Sequence, residues 1–415
     1  MLKKLLLVVI LLLSNNLFAQ TATQPSGTGT SGDPYLIATL DNLYWVTQNP
    51  TEWSKVYKQT AAIDASSSST WASGAGFSPI GNFTNQFTGS YDGQYYSISG
   101  LFINRSLAGY IGMFGYIGSA GAIQKVCLLN VNITGNNIVG SIVGVNLGSV
   151  SNCFSTGSIG AGNFGIGGFV GQNQGTITNS YTTCSVANAN NYAGGFASRN
   201  YATITNCFAT GSVNGSGYSG GLISYNGSGG NVNYCYSTGL VTGSGNVGGL
   251  IGSNGATVTN CYWDTLTSGK STSAAGTGKT TTEMKTQSTY TGWDFTTVWA
   301  IDPNKNSGYP YLLWQSSITG VDNIEKTPSE FALYQNYPNP FNPSTMIRYE
   351  ILKQSKVKIT VYNMLGQVVQ NLFEGEKAPG NYELNFDASK LSTGVYFYRI
   401  EAGSFSETKK MNLLK

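Results

Sequence analysis

The chain has 415 residues, of which 54 are glycine and only 10% are charged, against roughly 25% charged in an average soluble protein. A net charge of +3 with no basic run gives no basis for a nucleic-acid partner. Histidine is absent, which removes His-based triads, His-ligated metals and His acid–base chemistry.

The chain begins with Lys3 and Lys4, an apolar run from Leu5 to Leu13, and Leu17-Phe18-Ala19 before Gln20. This order predicts a signal peptide over 1–19. The apolar run is too short to span a bilayer, so no transmembrane segment is expected after its removal. No Cys follows it, which argues against a lipid anchor there. Residues 20–110 read as an N-terminal cap and opening coil. Short helices are predicted at 40–46 and 52–57, and Asp92-Gly93 carries a hairpin turn signal.

Residues 111–265 repeat. A small residue recurs at Gly115, Gly144, Gly171, Ser198, Ser224 and Gly252, and an Asn-aromatic end keeps the same beat from Asn152-Cys153-Phe154 to Asn260-Cys261-Tyr262. Steps of 26 to 29 residues mark a solenoid. Three short strand-like stretches per unit, separated by Gly/Asn turns, predict an all-β fold: a right-handed parallel β-helix with small capping elements. One coil cannot offset its own ordering entropy, so stability requires the stack.

Cys127, Cys153, Cys207, Cys235 and Cys261 all fall at the same phase of the repeat, with Ser180 on the vacant rung. Side chains on parallel neighbours point the same way, a poor approach for a disulfide, so a ladder of buried thiols is expected, with Cys184 out of phase and free. The column Phe154, Tyr181, Phe208, Tyr236 and Tyr262 permits two readings. Strict alternation places it in the core. A corner at each Asn turns Cys inward and the aromatics outward, as a flat strip suited to sugar rings. These five are the candidate binding residues.

Between Asp92 and Asp264 there is no Asp or Glu; the cations there are Arg105, Lys125 and Arg199. Clustered carboxylates for acid–base work or Ca²⁺ cannot be built on these coils, so no catalytic residue, metal or cofactor is expected. Asp33, Asp64, Asp92 and Asp264 fit turn and capping roles. Gly276-Thr277-Gly278-Lys279-Thr280 lacks the first Gly of a phosphate loop, and Gly160 to Gly165 fits a dinucleotide fingerprint without its βαβ setting.

Residues 266–316 are rich in Trp and Tyr and read as a C-terminal cap at the far end of the stack. Residues 317–330 read as a linker. Over 331–415 charge returns and strands alternate, as in Lys356–Tyr362 and Gly394–Ile400, which predicts a small Ig-like β-sandwich.

Two resemblances follow from these residues. Gly248-Gly249-Leu250-Ile251-Gly252 with Asn260-Cys261-Tyr262 resembles the GLUG repeat. The flanks Asp33–Ile37, Trp293-Asp294-Phe295 and Gly308–Leu312 extend the likeness over residues 27–316, and Ser198 and Ser224 depart from its last Gly. This resemblance implies a secreted or surface, adhesin-like protein with no catalytic residues on the repeat. Leu333 to Pro343, Val361 to Gly366 and Lys409 to Lys415 resemble the type A sorting domain of the type IX secretion system. That likeness implies the secretion machinery as partner, a Gram-negative bacterium of the Bacteroidetes type, and cargo released or attached to surface lipopolysaccharide. Its sorting-motif residues are Tyr337, Pro338, Asn339, Pro340, Phe341, Asn342, Pro343, Gly366, Gly394, Lys409 and Lys410. The expected function is non-catalytic adhesion to an extracellular polymer such as a glycan, or a structural surface element, by a monomer. The alternative is a carbohydrate-active enzyme or its accessory module.

Overall fold

The computed structural model describes residues 20–160, 163–317, 331–336, 338–352, 355–377 and 380–414. The predicted signal peptide, all but the first residue of the linker, and Tyr337 lie outside the described residues. The chain forms two units, divided between Ile318 and Thr319.

The first unit is a parallel β-solenoid of about six turns over residues 97–263. One face is a nine-stranded parallel sheet that starts with Tyr35–Ile37 and ends with Thr257–Thr259. A six-stranded face runs from Phe114–Ile117 to Ile251–Asn254. Its register pairs Phe114 with Val143, then Val170, Ala197, Ile223 and Ile251, which reproduces the uneven steps of the sequence repeat. The third side passes from long early strands, Phe102–Ile111 and Cys127–Val139, to short ones such as Phe208–Ala209 and Val213–Gly215.

Two early expectations change. Leu40–Gln48 is a helix, capped by the Thr39 side chain, but the predicted helix at 52–57 gives way to a strand at Val56–Gln59. Asp92-Gly93 is not a hairpin, because Ser90–Asp92 and Ser97–Ser99 each pair in parallel with other coils. Asp92 Oδ1 accepts from the Gln94 N–H at 3.0 Å, and Gln94 and Tyr95 take positive φ. This Asx turn steers the chain around a coil corner.

The Asn corners are real. Asn152, Asn179, Asn206 and Asn260 have φ of 54, 48, 54 and 49°, and Lys125 and Tyr234 hold the equivalent conformation. Asn tolerates this left-handed region better than most residues. Each corner resets the inside–outside alternation, so the next residue turns into the coil. That inward file is Val126, Cys153, Ser180, Cys207, Cys235 and Cys261, all buried. Cys127 corrects the sequence reading. It pairs in register with Phe154, and Val126, whose N–H donates to Cys153 Sγ at 3.3 Å, occupies the cysteine rung. All six thiols are buried, and none of them is in a disulfide.

A second inward file locks the next corner. Asn146 Nδ2 donates to Asn173 Oδ1 at 2.8 Å, Asn173 to Asn200 at 2.9 Å, Asn200 to Asn226 at 2.9 Å and Asn226 to Asn254 at 2.8 Å. These links pair amides that would otherwise be desolvated alone.

The Trp-rich segment differs most from expectation. Thr277–Lys279 does extend the far end, in parallel with Tyr262–Asp264, but residues 281–316 run back along the flank of the stack. Trp293 touches Tyr262 and Tyr236, Trp299 touches Tyr236 and Phe208, and Trp314 touches Tyr181, Phe154 and Tyr95. The indole N–H groups of Trp293 and Trp314 donate to the carbonyls of Asn260 and Asn179, each at 2.9 Å. An outward file of aromatic rings is apolar surface that needs a cover, and this strap supplies it.

The second unit is a β-sandwich of a three-stranded and a four-stranded antiparallel sheet. Leu333, Ile347, Tyr349 and Ile351 from the first meet Val357, Ile359, Val361, Tyr398, Ile400 and Met411 from the second in one core.

Candidate functional site

The aromatic column is a regular stack. Ring centroids are 5.0 Å apart for Phe154–Tyr181, 4.6 Å for Tyr181–Phe208 and 4.8 Å for Phe208–Tyr236, with planes within 7° of parallel. Tyr262 continues the file by strand pairing with Tyr236. The rings point out of the coil, yet no member is more than 7% exposed. Burial pushes the phenols of Tyr181 and Tyr236 above their ordinary range. In this structure the column is an internal seam between coil and strap, and a strip open to sugar rings does not describe it.

The carboxylates flanking the repeat are engaged locally. Asp264 is buried; its Oδ2 accepts from the Tyr309 hydroxyl at 2.7 Å, and its Oδ1 from the N–H groups of Leu266 and Thr267. Asp92 pairs with Lys125 at 3.7 Å, and Asp64 Oδ1 accepts from the Ser66 N–H at 2.9 Å. Asp33 closes a turn with Thr28 and Thr30. These are turn, strap and corner contacts.

The nine-stranded face of the solenoid is open to solvent. In each three-residue strand the middle side chain is inward, as Val150, Ile177, Ile204 and Val232. The outer two form parallel files: Ser149, Thr176, Thr203, Asn231, Thr257 and Ser151, Thr178, Thr205, Asn233, Thr259. Neighbouring rungs are ~4.8 Å apart, and the files lie roughly 6.6 Å from each other. None of the ten is charged. At its N-terminal end the face becomes a shallow groove of about 490 Å³, lined among others by Lys58, Asp92, Gln94 and Gln124. The sequence showed Ser, Thr and Asn to be plentiful; the strand period places them on one plane.

In the sandwich, the structure gathers both ends of the sorting motif. Phe341 is buried; its N–H donates to the Asn412 carbonyl and its carbonyl accepts from Leu414, both at 2.9 Å. Asn339 Oδ1 accepts from the Asn412 N–H at 2.8 Å, and Asn339 Nδ2 donates to the Lys410 carbonyl at 3.4 Å. Asn336 Nδ2 donates to the Pro338 carbonyl, and the Pro343 carbonyl accepts from Ala388. The Asn339-Pro340 and Asn342-Pro343 bonds are cis. Lys409 pairs with Glu407 at 2.7 Å, on the strand Phe405–Leu413 that also carries Lys410 and pairs with Gly394. Gly366 lies apart, with φ of 75° in the turn between Asn363 and Gln367.

Comparison with known proteins agrees with both resemblances. Residues 335–413 match the secretion system C-terminal sorting domain, of type IX, and residues 189–214, one coil of the solenoid, match the GLUG motif. Over 143 residues the chain is 40% identical to halomucin of Haloquadratum walsbyi, which covers 33% of this chain but 2% of that protein. Over 142 residues it is 34% identical to the "Putative Gly-rich membrane protein" of Evansella cellulosilytica, covering 32% of this chain and 16% of the relative. The chain thus spans only a small part of either relative. No solved structure matches it. A sorting domain of this kind implies secretion to the cell surface or beyond, with the involvement of the type IX machinery. Among the described residues no helix is long and apolar enough to cross a membrane.

Proposed function

We propose that this protein is a non-catalytic adhesin that binds an extracellular polymer, a glycan by preference, through the outer faces of its solenoid. The observation that supports this most is the uncharged double file from Ser149 to Thr259 on the nine-stranded face. A rigid plane of hydroxyls and amides in fixed rows presents many weak hydrogen bonds at once, and repetition raises the overall avidity well above that of any one contact. A long polymer with its own repeat is the ligand suited to that geometry.

In this reading the signal peptide carries the chain across the inner membrane of a Gram-negative bacterium. The sandwich, with Pro338 to Pro343 held against the strand that bears Lys409 and Lys410, carries it across the outer one. The solenoid is then displayed as a monomer, attached to surface lipopolysaccharide or released. The lack of carboxylates between Asp92 and Asp264 supports binding without turnover.

The test is a polysaccharide panel titrated against the full chain, with a product assay on every hit. Saturable binding with no new reducing ends or unsaturated products supports the adhesin. Product formation overturns the non-catalytic reading, and absence of binding across the panel overturns the polymer reading.

A further inference from the structure

The repeat region between Asp92 and Asp264 holds three cations, and two of them are satisfied. Arg105 donates to the carbonyls of Phe77 and Gly76 and to Ser78 Oγ at 2.7 Å. Lys125 pairs with Asp92. Arg199 is different. It is the outward third residue of the strand Ala197–Asn200 on the six-stranded face, in register between Gln172 and Tyr225. Among the described residues its guanidinium has neither an ion pair nor a hydrogen-bond acceptor, and its Nε is shielded from solvent without a partner. An unpaired, partly desolvated guanidinium is costly.

What holds Arg199 is a group of rings. Its Cζ lies 4.6 Å from the Phe164 ring centre and 5.8 Å from that of Tyr192. Tyr192 stacks on Tyr218 at 5.4 Å with 9° between planes, and Phe164 meets Tyr192 edge-on at 5.5 Å. Phe164 is 40% exposed, and Tyr192, Tyr218 and Tyr225 are partly exposed. In the file of Tyr192 and Tyr218 the next rung is Gly165. A Cβ there would stand 2.6 Å from Ser198 Oγ and 3.9 Å from Arg199 Nε, so this rung is glycine because Ser198 packs against it, and it adds no ring to the file. The strap covers a different flank, which leaves these rings in contact with solvent.

We propose that Arg199, Phe164, Tyr192 and Tyr218 form a binding site for an anionic sugar residue of an extracellular polysaccharide. The planar fork of Arg199 takes the carboxylate or sulfate group. The exposed tyrosine face takes the apolar side of the sugar ring. Charge complementarity selects this ligand class: the surrounding array brings one unserved cation and no acid, so the missing anion must come from outside. This inference rests on the polymer-binding reading and adds to it the ligand's charge and the place where it is read.

The full chain and its R199Q and R199K variants are titrated with polygalacturonate, dextran sulfate and neutral dextran, with thermal melting recorded for each protein. The expected result is tighter binding of a charged polymer than of dextran, and a loss of about tenfold or more in R199Q at unchanged melting. R199K, which keeps the charge but not the fork, should lose less. Preference between polygalacturonate and dextran sulfate then names the anionic group. If R199Q melts early, Tyr218→Ala serves as the second variant, with the same loss expected. Equal affinity for charged and neutral polymers, or full affinity in R199Q and Y218A, overturns the site while leaving polymer binding intact. Binding to none of the three overturns the site, and the wider polysaccharide panel then decides the polymer reading.

Discussion

Trp314 is stacked on Tyr95, with ring centroids 5.2 Å apart and planes 16° from parallel, so the last indole of the strap is latched onto an early coil of the solenoid. The strap thus crosses most of the stack, and its tryptophans seal an aromatic seam that no single coil could bury. We expect Trp299→Ala to be the most damaging strap substitution. Trp299 is fully buried over Phe208 and Tyr236, and a Trp→Ala change at such a site costs about 3–5 kcal/mol. Urea unfolding reads the loss. Trp314→Ala, at a half-buried position, should cost less and should speed proteolytic cleavage within 300–317. Equal and negligible losses at both positions would show that the strap is not part of the folded unit.

Close packing at the coil corners gives a second expectation. A Cβ on Gly168 would lie 2.1 Å from the Gly195 carbonyl oxygen of the next coil, and one on Gly249 would meet the Trp263 ring at 2.1 Å. The first obstacle is backbone and cannot rotate away. Gly168→Val should therefore destabilise by about 3 kcal/mol or more, at or beyond the usual range for overpacking. Gly249→Val, where a side chain could in part yield, should cost less. Thermal melting of the two variants orders them, and the reverse order would argue against this corner geometry.

Much of this architecture was legible because a solenoid writes its register into the period. Phe114, Val143, Val170, Ala197, Ile223 and Ile251 pair at the spacing read from the sequence repeat. The Asn corners were legible as one of two parities, and backbone φ selects between them. Less was legible where the repeat lapses. Lys125 and Tyr234 turn corners without an Asn signal, and without that signal at Lys125 the sequence does not show that Val126, and not Cys127, fills the rung. The strap was legible as aromatic bulk but not as a flank cover, since a non-repeating segment carries no period to place it. Arg199 was visible only as one of three charges; that it lacks a partner depends on which coils stack beside it.

The sorting domain gives a third expectation. Its motif is joined to the final strand by Phe341, Asn339 and Asn412, within a sandwich that has its own core. Deleting residues 331–415 should leave the solenoid folded but trapped in the periplasm, as read by fractionation and by protease accessibility on whole cells. Normal surface display of the truncated chain would defeat the assignment.

Alkaline pH should weaken the solenoid, and the buried thiols set where this begins. Burial pushes the Cys153 thiol up from 9.0 to about 12, and Cys235 and Cys261 are raised well above 9.0 for the same reason. A raised pKa means that the folded state holds its proton longer than the unfolded chain does. Below pH 9 both states are protonated and the contribution is complete; above it only the unfolded chain ionises, so stability falls with rising pH until the folded thiols ionise too. Urea midpoints should be flat in this respect up to about pH 8 and decline from about pH 9. The buried phenols, raised from 10.0 in Tyr236 and Tyr290, should steepen the decline from about pH 10. Ser180 already serves as a rung, accepting from the Cys153 N–H at 3.1 Å and donating to the Thr178 carbonyl at 2.8 Å. A variant with Cys153, Cys235 and Cys261 all changed to Ser should therefore fold and show a shallower first limb, since the Cys127 thiol, also raised by burial, remains, while the second limb is kept. An unchanged limb near pH 9 in that variant would assign it to other groups.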